Sequence, residues 1–185
     1  MTDLSKLPPQ NLEAEQQVLG AVLIENAALD AVMDILTAAD FYSDKHRDIF
    51  STMVRMFEKG QAIDLITLDD AMRNAGKMEQ MGGSSYLGVL VSQVPSAANV
   101  KHHARIVREK SILRQLLHAT YDISSNCYGD HKNPSSVEDL LDRAEESIFQ
   151  ISQQKIGQAF EPLSALLTKN RETIERISEN KGAVT

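Results

Sequence analysis

The sequence predicts an all-α protein: a compact helical head, then a long antiparallel helical hairpin, then a C-terminal linker helix. Three observations carry that expectation. Apolar residues recur at spacings of three and four along most of the chain. Capping residues and glycines fall at the ends of those runs. No run of alternating apolar and polar residues reads convincingly as a strand. The chain has 185 residues, and at this length roughly 70% of the unfolded surface can be buried without staples. Hydrophobic residues make up 42% and charged residues 24%, a globular balance that argues against wholesale disorder.

The head is expected over residues 1–96. After Pro8-Pro9, Asn11 is placed to cap a helix running to about Glu25, with Leu12, Leu19, Val22 and Leu23 inside. A second helix follows from about Ala28 to Leu36, carrying Leu29, Val32, Met33 and Leu36 on one side. Ser43 caps a third, with Ile49, Phe50, Met53 and Phe57 buried, and Gly60 stands where a left-handed C-cap is preferred. Thr67 opens a short helix that Gly76 closes, and Gly82-Gly83 leads into another around Tyr86 to Val91. Helices with one apolar stripe each need one another to hide it.

Residues 97–156 are expected to form the hairpin of the same N-terminal domain. From Ala97 the helical pattern runs to about Asn126, with Ile106, Leu113, Leu116, Thr120 and Ile123 along one seam. Tyr128 to Pro134 is a polar turn, and Ser136 with Asp139 makes a capping box for the return helix. That helix shows Val137, Leu140, Leu141, Ala144, Ile148 and Ile151. Two long helices joined by a short turn lie antiparallel, which sets Arg114 about level with Ile148, facing Glu145-Glu146. One pairing hides only one seam. A further stripe of Ile112, Leu117 and Tyr121 is left for either the head or a second chain. Leu116, Leu117, Ile123, Leu140, Leu141 and Ile148 are therefore candidates for self-association, with a plain structural role as the alternative.

Residues 157–185 read as a linker with an amphipathic helix. Gly157 to Glu161 connects, Pro162 suits a first helical turn, and Leu163, Leu166, Leu167, Ile174 and Ile177 mark one narrow face. A lone helix of this length is marginal in water, so that face is a docking candidate.

Composition also bounds function. The formal net charge is −7, opposite to that of a protein whose main task is gripping phosphates. The charge is segregated: residues 7–44 carry acids but no Lys or Arg, whereas Lys101, Arg105, Arg108, Lys110 and Arg114 face one acid, Glu109, between 101 and 114. Such a chain is expected to meet protein partners or its own copies rather than coat DNA. One cysteine, Cys127, cannot form an internal disulfide, and the chain reads as intracellular. The longest apolar run, Val18 to Ile24, is far short of the ~20 residues a bilayer demands, and no secretory signal opens the chain. A cytoplasmic protein without a membrane role is expected.

No catalytic, cofactor or metal site is assigned. A phosphate loop needs a glycine five residues before Gly-Lys and a hydroxyl residue after it; Ala71 and Met78 flank Gly76-Lys77 instead. His102 and His103 are adjacent, about 100° apart on a helix, where a two-histidine site wants a spacing of three or four. Cys127 and His131 straddle the turn without a second pair, and His46 and His118 read as surface or packing residues. Asp64, Asp69 and Asp70 near Thr67 suit helix capping better than paired acid–base work.

The residues also carry a family likeness. Leu7-Pro8-Pro9-Gln10-Asn11-Leu12-Glu13-Ala14-Glu15-Gln16-Gln17-Val18-Leu19-Gly20 closely resembles the opening of the bacterial DnaB-type replicative DNA helicases. The likeness continues in Asp40-Phe41-Tyr42 with His46-Arg47, in Ile63-Asp64-Leu65-Ile66-Thr67, and in Gly82-Gly83 with Tyr86-Leu87. Val94-Pro95-Ser96-Ala97-Ala98-Asn99-Val100 and His103-Ala104-Arg105-Ile106-Val107-Arg108-Glu109-Lys110 complete it. Several blocks in the family's order are far more specific than any one motif.

The resemblance implies an all-α N-terminal domain, followed in the family by a RecA-like ATPase domain that uses ATP and magnesium. The chain stops about where that domain would begin, so no cofactor is expected within it. The family's N-terminal region forms a collar of paired subunits, a dimer or trimer of dimers, on a hexameric ring. It is the platform for a DnaG-type primase, and the linker helix packs on the neighbouring subunit's ATPase domain. DNA is met indirectly, through the full-length protein. Glu15 and Tyr86 match family positions on the head and are the candidates for primase contact. The competing readings are a solvated helix residue for Glu15 and a core aromatic for Tyr86. Rival functions are the helicase-binding domain of a primase, a small helical enzyme, or a helical DNA-binding protein using residues 101–114.

Overall fold

The helices gather around the one that is most deeply buried. In the computed structural model, which describes residues 7–129 and 136–156, that helix is α1 (Leu12–Ile24). Ala14, Val18, Leu19, Ala21, Val22 and Leu23 are all buried along it, and a helix whose second half is almost wholly apolar belongs in the middle of its domain. Asn11 starts it as the sequence predicts. Its side-chain oxygen accepts from the Ala14 amide at 2.9 Å, satisfying one of the donors a helix start leaves over.

The other elements follow as α2 (Ala28–Met33), α3 (Asp44–Glu58), α4 (Leu65–Asn74), α5 (Met78–Met81), α6 (Ser84–Ser92), α7 (Val100–Cys127) and α8 (Val137–Ile156). Two 3-10 turns, Ala38–Asp40 and Ala97–Asn99, complete the set, and no strand occurs among the described residues. The all-helical class stands. Helix α2 is shorter than expected and ends at Met33, yet Leu36 beyond it is still buried.

Helices α2, α3, α6 and α7 pack on α1. Gly20 sets how closely α6 approaches: a Cβ there would lie 2.3 Å from the Leu90 carbonyl oxygen and 2.5 Å from a Val94 methyl. Gly20→Ala is therefore expected to cost about 2 kcal/mol. The urea midpoint should fall while the slope of the transition stays unchanged.

Helix α3 buries Ile49, Phe50, Met53 and Met56, and Phe50 meets Phe41 with ring centroids 4.9 Å apart. It ends as predicted at Gly60, whose φ of 66° lies in the left-handed region. The Gln61 amide then reaches back to the Met56 carbonyl at 2.9 Å, closing the helix end. The following loop is pinned by Asn26. Its Nδ2 donates to the Ile63 carbonyl at 2.6 Å and its Oδ1 accepts from the Ile63 amide at 2.9 Å, which delivers Ile63 to the core.

The start of α4 corrects the sequence reading. Asp64, not Thr67, is the cap: its carboxylate accepts from the Ile66 and Thr67 amides at 2.8 and 2.9 Å. Thr67 returns the favour by accepting from the Asp64 amide at 2.9 Å. The pair is a reciprocal capping box, and those amide donors hold the Asp64 carboxyl below its usual pKa.

Helix α7 serves two environments. Val100, Ala104 and Val107 belong to the core of the head, and Ser111 is buried beside them. Further along, Leu113, Leu117 and Tyr121 are exposed, while Leu116 and Ile123 are half-buried. Helix α8 begins with the predicted capping box, Ser136 Oγ accepting from the Asp139 amide at 3.1 Å and Asp139 accepting from the Ser136 amide at 3.2 Å. The chain forms two compact units, Met1–Ile148 and Phe149–Thr185. Most of the predicted turn (130–134) and the linker helix with Leu163, Leu166, Leu167, Ile174 and Ile177 lie outside the described residues.

Candidate functional site

Helix α1 buries one carboxylate, and the candidate site is built around it. Glu15 is 1% exposed. It is therefore neither the solvated helix residue nor a surface side chain that a partner could touch directly. A buried carboxylate needs donors on its oxygens, and the start of α3 supplies them. The Tyr42 amide donates to Oε1 at 2.7 Å, the Ser43 amide approaches Oε2 at 3.4 Å, and His46 Nδ1 lies 2.6 Å from Oε2.

His46 carries the connection onward. It is fully buried in the first turn of α3, and its Nε2 lies 2.6 Å from the Tyr86 hydroxyl at the start of α6. A carboxylate only accepts, so Nδ1 bears the hydrogen toward Glu15, and Nε2 pairs with the Tyr86 hydroxyl. Gln16 Nε2 donates to the same hydroxyl oxygen at 3.1 Å. Each of these groups thus has a partner along one connected chain of Gln16, Tyr86, His46 and Glu15.

The structure brings the two sequence candidates, Glu15 and Tyr86, into this one chain through a residue the sequence reading set aside. His46 is a packing residue, as allowed, but one with both ring nitrogens engaged. Its burial was legible: with Ile49, Phe50 and Met53 it continues the spacing of three and four that faces the core. Tyr86 is half-buried and packs against the core. Lys45 Nζ lies 3.7 Å from its ring centroid, a cation over an aromatic face. Gln16 on α1 reaches the Tyr86 hydroxyl, and Ser85 and Val89 on the same helix as Tyr86 are exposed.

Two of the five cations in the basic stretch 101–114, Arg108 and Arg114, are engaged inside the domain, while Lys101 and Arg105 are exposed. Arg108 runs inward to the Asp40 carboxylate at 2.5 Å, an ion pair 12% and 1% exposed. Asp40 also accepts from the Thr37 amide at 2.7 Å and the Thr37 hydroxyl at 3.0 Å. Arg114 does not face Glu145-Glu146. It donates to the Pro9 carbonyl at 2.8 Å and the Asp40 carbonyl at 2.5 Å, two acceptors that irregular backbone leaves without helical donors. Desolvation lowers the Arg114 pKa, against the opposing pull of Glu15 and Asp40. Arg108 and Arg114 thus clamp α7 to the head.

The acidic group near Thr67 is likewise structural. Asp69 accepts from Arg73 Nε at 2.6 Å, and this hydrogen bond holds its carboxyl below the usual pKa. Asp70 accepts from Asn74 at 3.0 Å. The self-association candidates divide by exposure: Leu117, Leu141 and Ile148 are exposed, whereas Leu116, Ile123 and Leu140 are half-buried. Cys127 is exposed, and its companion His131 lies outside the described residues.

Residues 7–109 match the family model described as the DnaB-like helicase N terminal domain. The replicative DNA helicase DnaC of Bacillus subtilis is 38% identical over 187 residues, an alignment covering 100% of this chain and 40% of that protein. The replicative DNA helicase DnaB of Geobacillus stearothermophilus is 38% identical, with 97% of this chain and 39% of that protein covered. The chain therefore spans about two fifths of the length of these relatives. Among solved structures, the N-terminal domain of DnaB helicase from Mycobacterium tuberculosis superposes with a TM-score of 0.74 at 33% identity, covering 78% of this chain and 99% of that one. A structure described as a DnaB-like replicative helicase and its interactions with primase gives 0.61 at 27% identity, covering 87% of this chain and 35% of that one. These findings make the chain a member of the DnaB-like helicase N-terminal domain family.

Proposed function

We propose that this chain is the collar module of a hexameric replicative DNA helicase, a protein-interaction platform that catalyses nothing itself. The observation that carries the reading is the match of nearly the whole chain to about two fifths of the length of bacterial replicative helicases. Unwinding driven by ATP and magnesium belongs to the remainder of such a protein, which acts in the cytoplasm and meets DNA there. Residues 1–96 serve as the head, 97–156 as the hairpin and 157–185 as the linker, which docks on a neighbouring ATPase domain through Leu163, Leu166, Leu167, Ile174 and Ile177.

The head presents Tyr86, with Lys45 over its ring, to a DnaG-type primase, and Glu15 supports that surface from beneath. Titrating the chain with the helicase-binding domain of such a primase tests this. Wild type should bind, and Tyr86→Ala should weaken binding by about a hundredfold, as loss of a central aromatic anchor does. Equal affinity in the two would remove Tyr86 from the interface.

The hairpin carries self-association. Leu113, Leu117 and Tyr121 follow one another at a spacing of four on α7, exposed to solvent. Such a stripe supports a second copy as its cover. Light scattering across a concentration series should give a dimer or larger, and Leu117→Asp should shift the mass toward the monomer. A strict monomer for the wild type at high concentration would assign ring assembly to the ATPase portion.

A further inference from the structure

We propose that His46 is the positioning residue of the primase-facing surface, fixing the direction in which the Tyr86 ring meets its partner. The proposal rests on the reading of Tyr86 as a primase contact and adds what holds that contact in place. His46 is fully buried, so it can act on a partner only through another side chain. The side chain it reaches is Tyr86, by 2.6 Å from Nε2 to the hydroxyl.

The restraint is unusually complete for a half-buried aromatic. The hydroxyl is held from two sides, by His46 Nε2 and by Gln16 Nε2 at 3.1 Å. The Tyr86 ring lies 13° from the plane of the His46 imidazole with centroids 5.9 Å apart, and Lys45 Nζ stands over the ring at 3.7 Å. His46 is itself fixed by Glu15, and Glu15 by the Tyr42 amide. Three helices, α1, α3 and α6, therefore converge on the orientation of one side chain. A surface aromatic already fixed in its bound direction loses less freedom on binding. If the Nε2 partner is removed, the hydroxyl must find water, and the ring turns with it.

Two substitutions break the same link from its two ends. Tyr86→Phe keeps the ring and removes the hydroxyl. His46→Asn keeps a donor near the Nδ1 position for Glu15 and removes the Nε2 partner. The probe is the helicase-binding domain of a DnaG-type primase, titrated into the full 185-residue chain, with affinities referred to the folded fraction. Each variant should bind on the order of tenfold more weakly, the equivalent of one net hydrogen bond. The double variant should bind no more weakly than either single one, because both remove one interaction. Imidazole nitrogen shifts of the wild type should report hydrogen on Nδ1.

Wild-type affinity in Tyr86→Phe and in folded His46→Asn would overturn the positioning role. Tyr86→Ala separates the two ideas. Weak binding by Tyr86→Ala alongside normal binding by Tyr86→Phe leaves the contact and removes the positioning; normal binding by Tyr86→Ala removes both. Should His46→Asn fail to fold, Tyr86→Phe decides alone, since it keeps the Glu15–His46 pair and every core side chain in place.

Discussion

Arg108→Ala is expected to lower the stability of the domain by about 3 kcal/mol, because it strands a buried carboxylate. Asp40 is 1% exposed, and with the guanidinium gone only the two Thr37 donors remain among the bonds described for its oxygens. For a domain of this size the melting temperature should fall by roughly 6–12 °C. Asp40→Asn combined with Arg108→Ala should recover part of the loss, since a neutral amide is cheaper than an ion to leave without a cation. The same variant separates two functions for the basic stretch. In a DNA-binding role, Arg108 would change the salt dependence of nucleic-acid affinity. In the clamp role it changes thermal and urea unfolding, and a wild-type melting temperature would contradict the clamp.

Glu15→Ala is expected to cost about 2–3 kcal/mol, because the Tyr42 amide and His46 Nδ1 both lose their acceptor away from water. Glu15→Gln should cost about 1 kcal/mol. Its carbonyl oxygen can still accept from Tyr42, but its amide hydrogen meets Nδ1 and forces the other histidine tautomer. The nitrogen shifts of His46 should report that exchange directly. Stability unchanged in Glu15→Ala would mean that these bonds contribute nothing.

Much of the fold was legible because local rules fixed it. Asn11, Gly60 and the Ser136–Asp139 box marked helix ends that the structure reproduces, since each satisfies backbone groups within a few residues. The two long helices were legible from their length of uninterrupted apolar spacing. The start of α4 was misplaced by three residues because a capping box is symmetric in its residue types: Asp64 and Thr67 can each be read as the cap.

Long-range polar pairing was not legible. Nothing local says that Arg108 should find Asp40, or that Arg114 should find the Pro9 and Asp40 carbonyls rather than Glu145-Glu146. Those partners are chosen by tertiary packing of α7 against α1 and the 3-10 turn before α3. The site was legible in part. The family resemblance marks Glu15 and Tyr86 as two separate candidates for primase contact, whereas the physical unit is the chain through His46. Its signal was the helical phase of His46, which places it on the core face of α3, and a buried histidine always requires partners for two nitrogens.

The most direct test of the interaction module is amide chemical-shift mapping of the chain as the primase helicase-binding domain is added. The expected footprint centres on Gln16, Lys45, Ser85, Tyr86 and Val89, where α1, α3 and α6 meet at the surface. A footprint confined to α7 and α8, or no saturable change at all, would contradict the account.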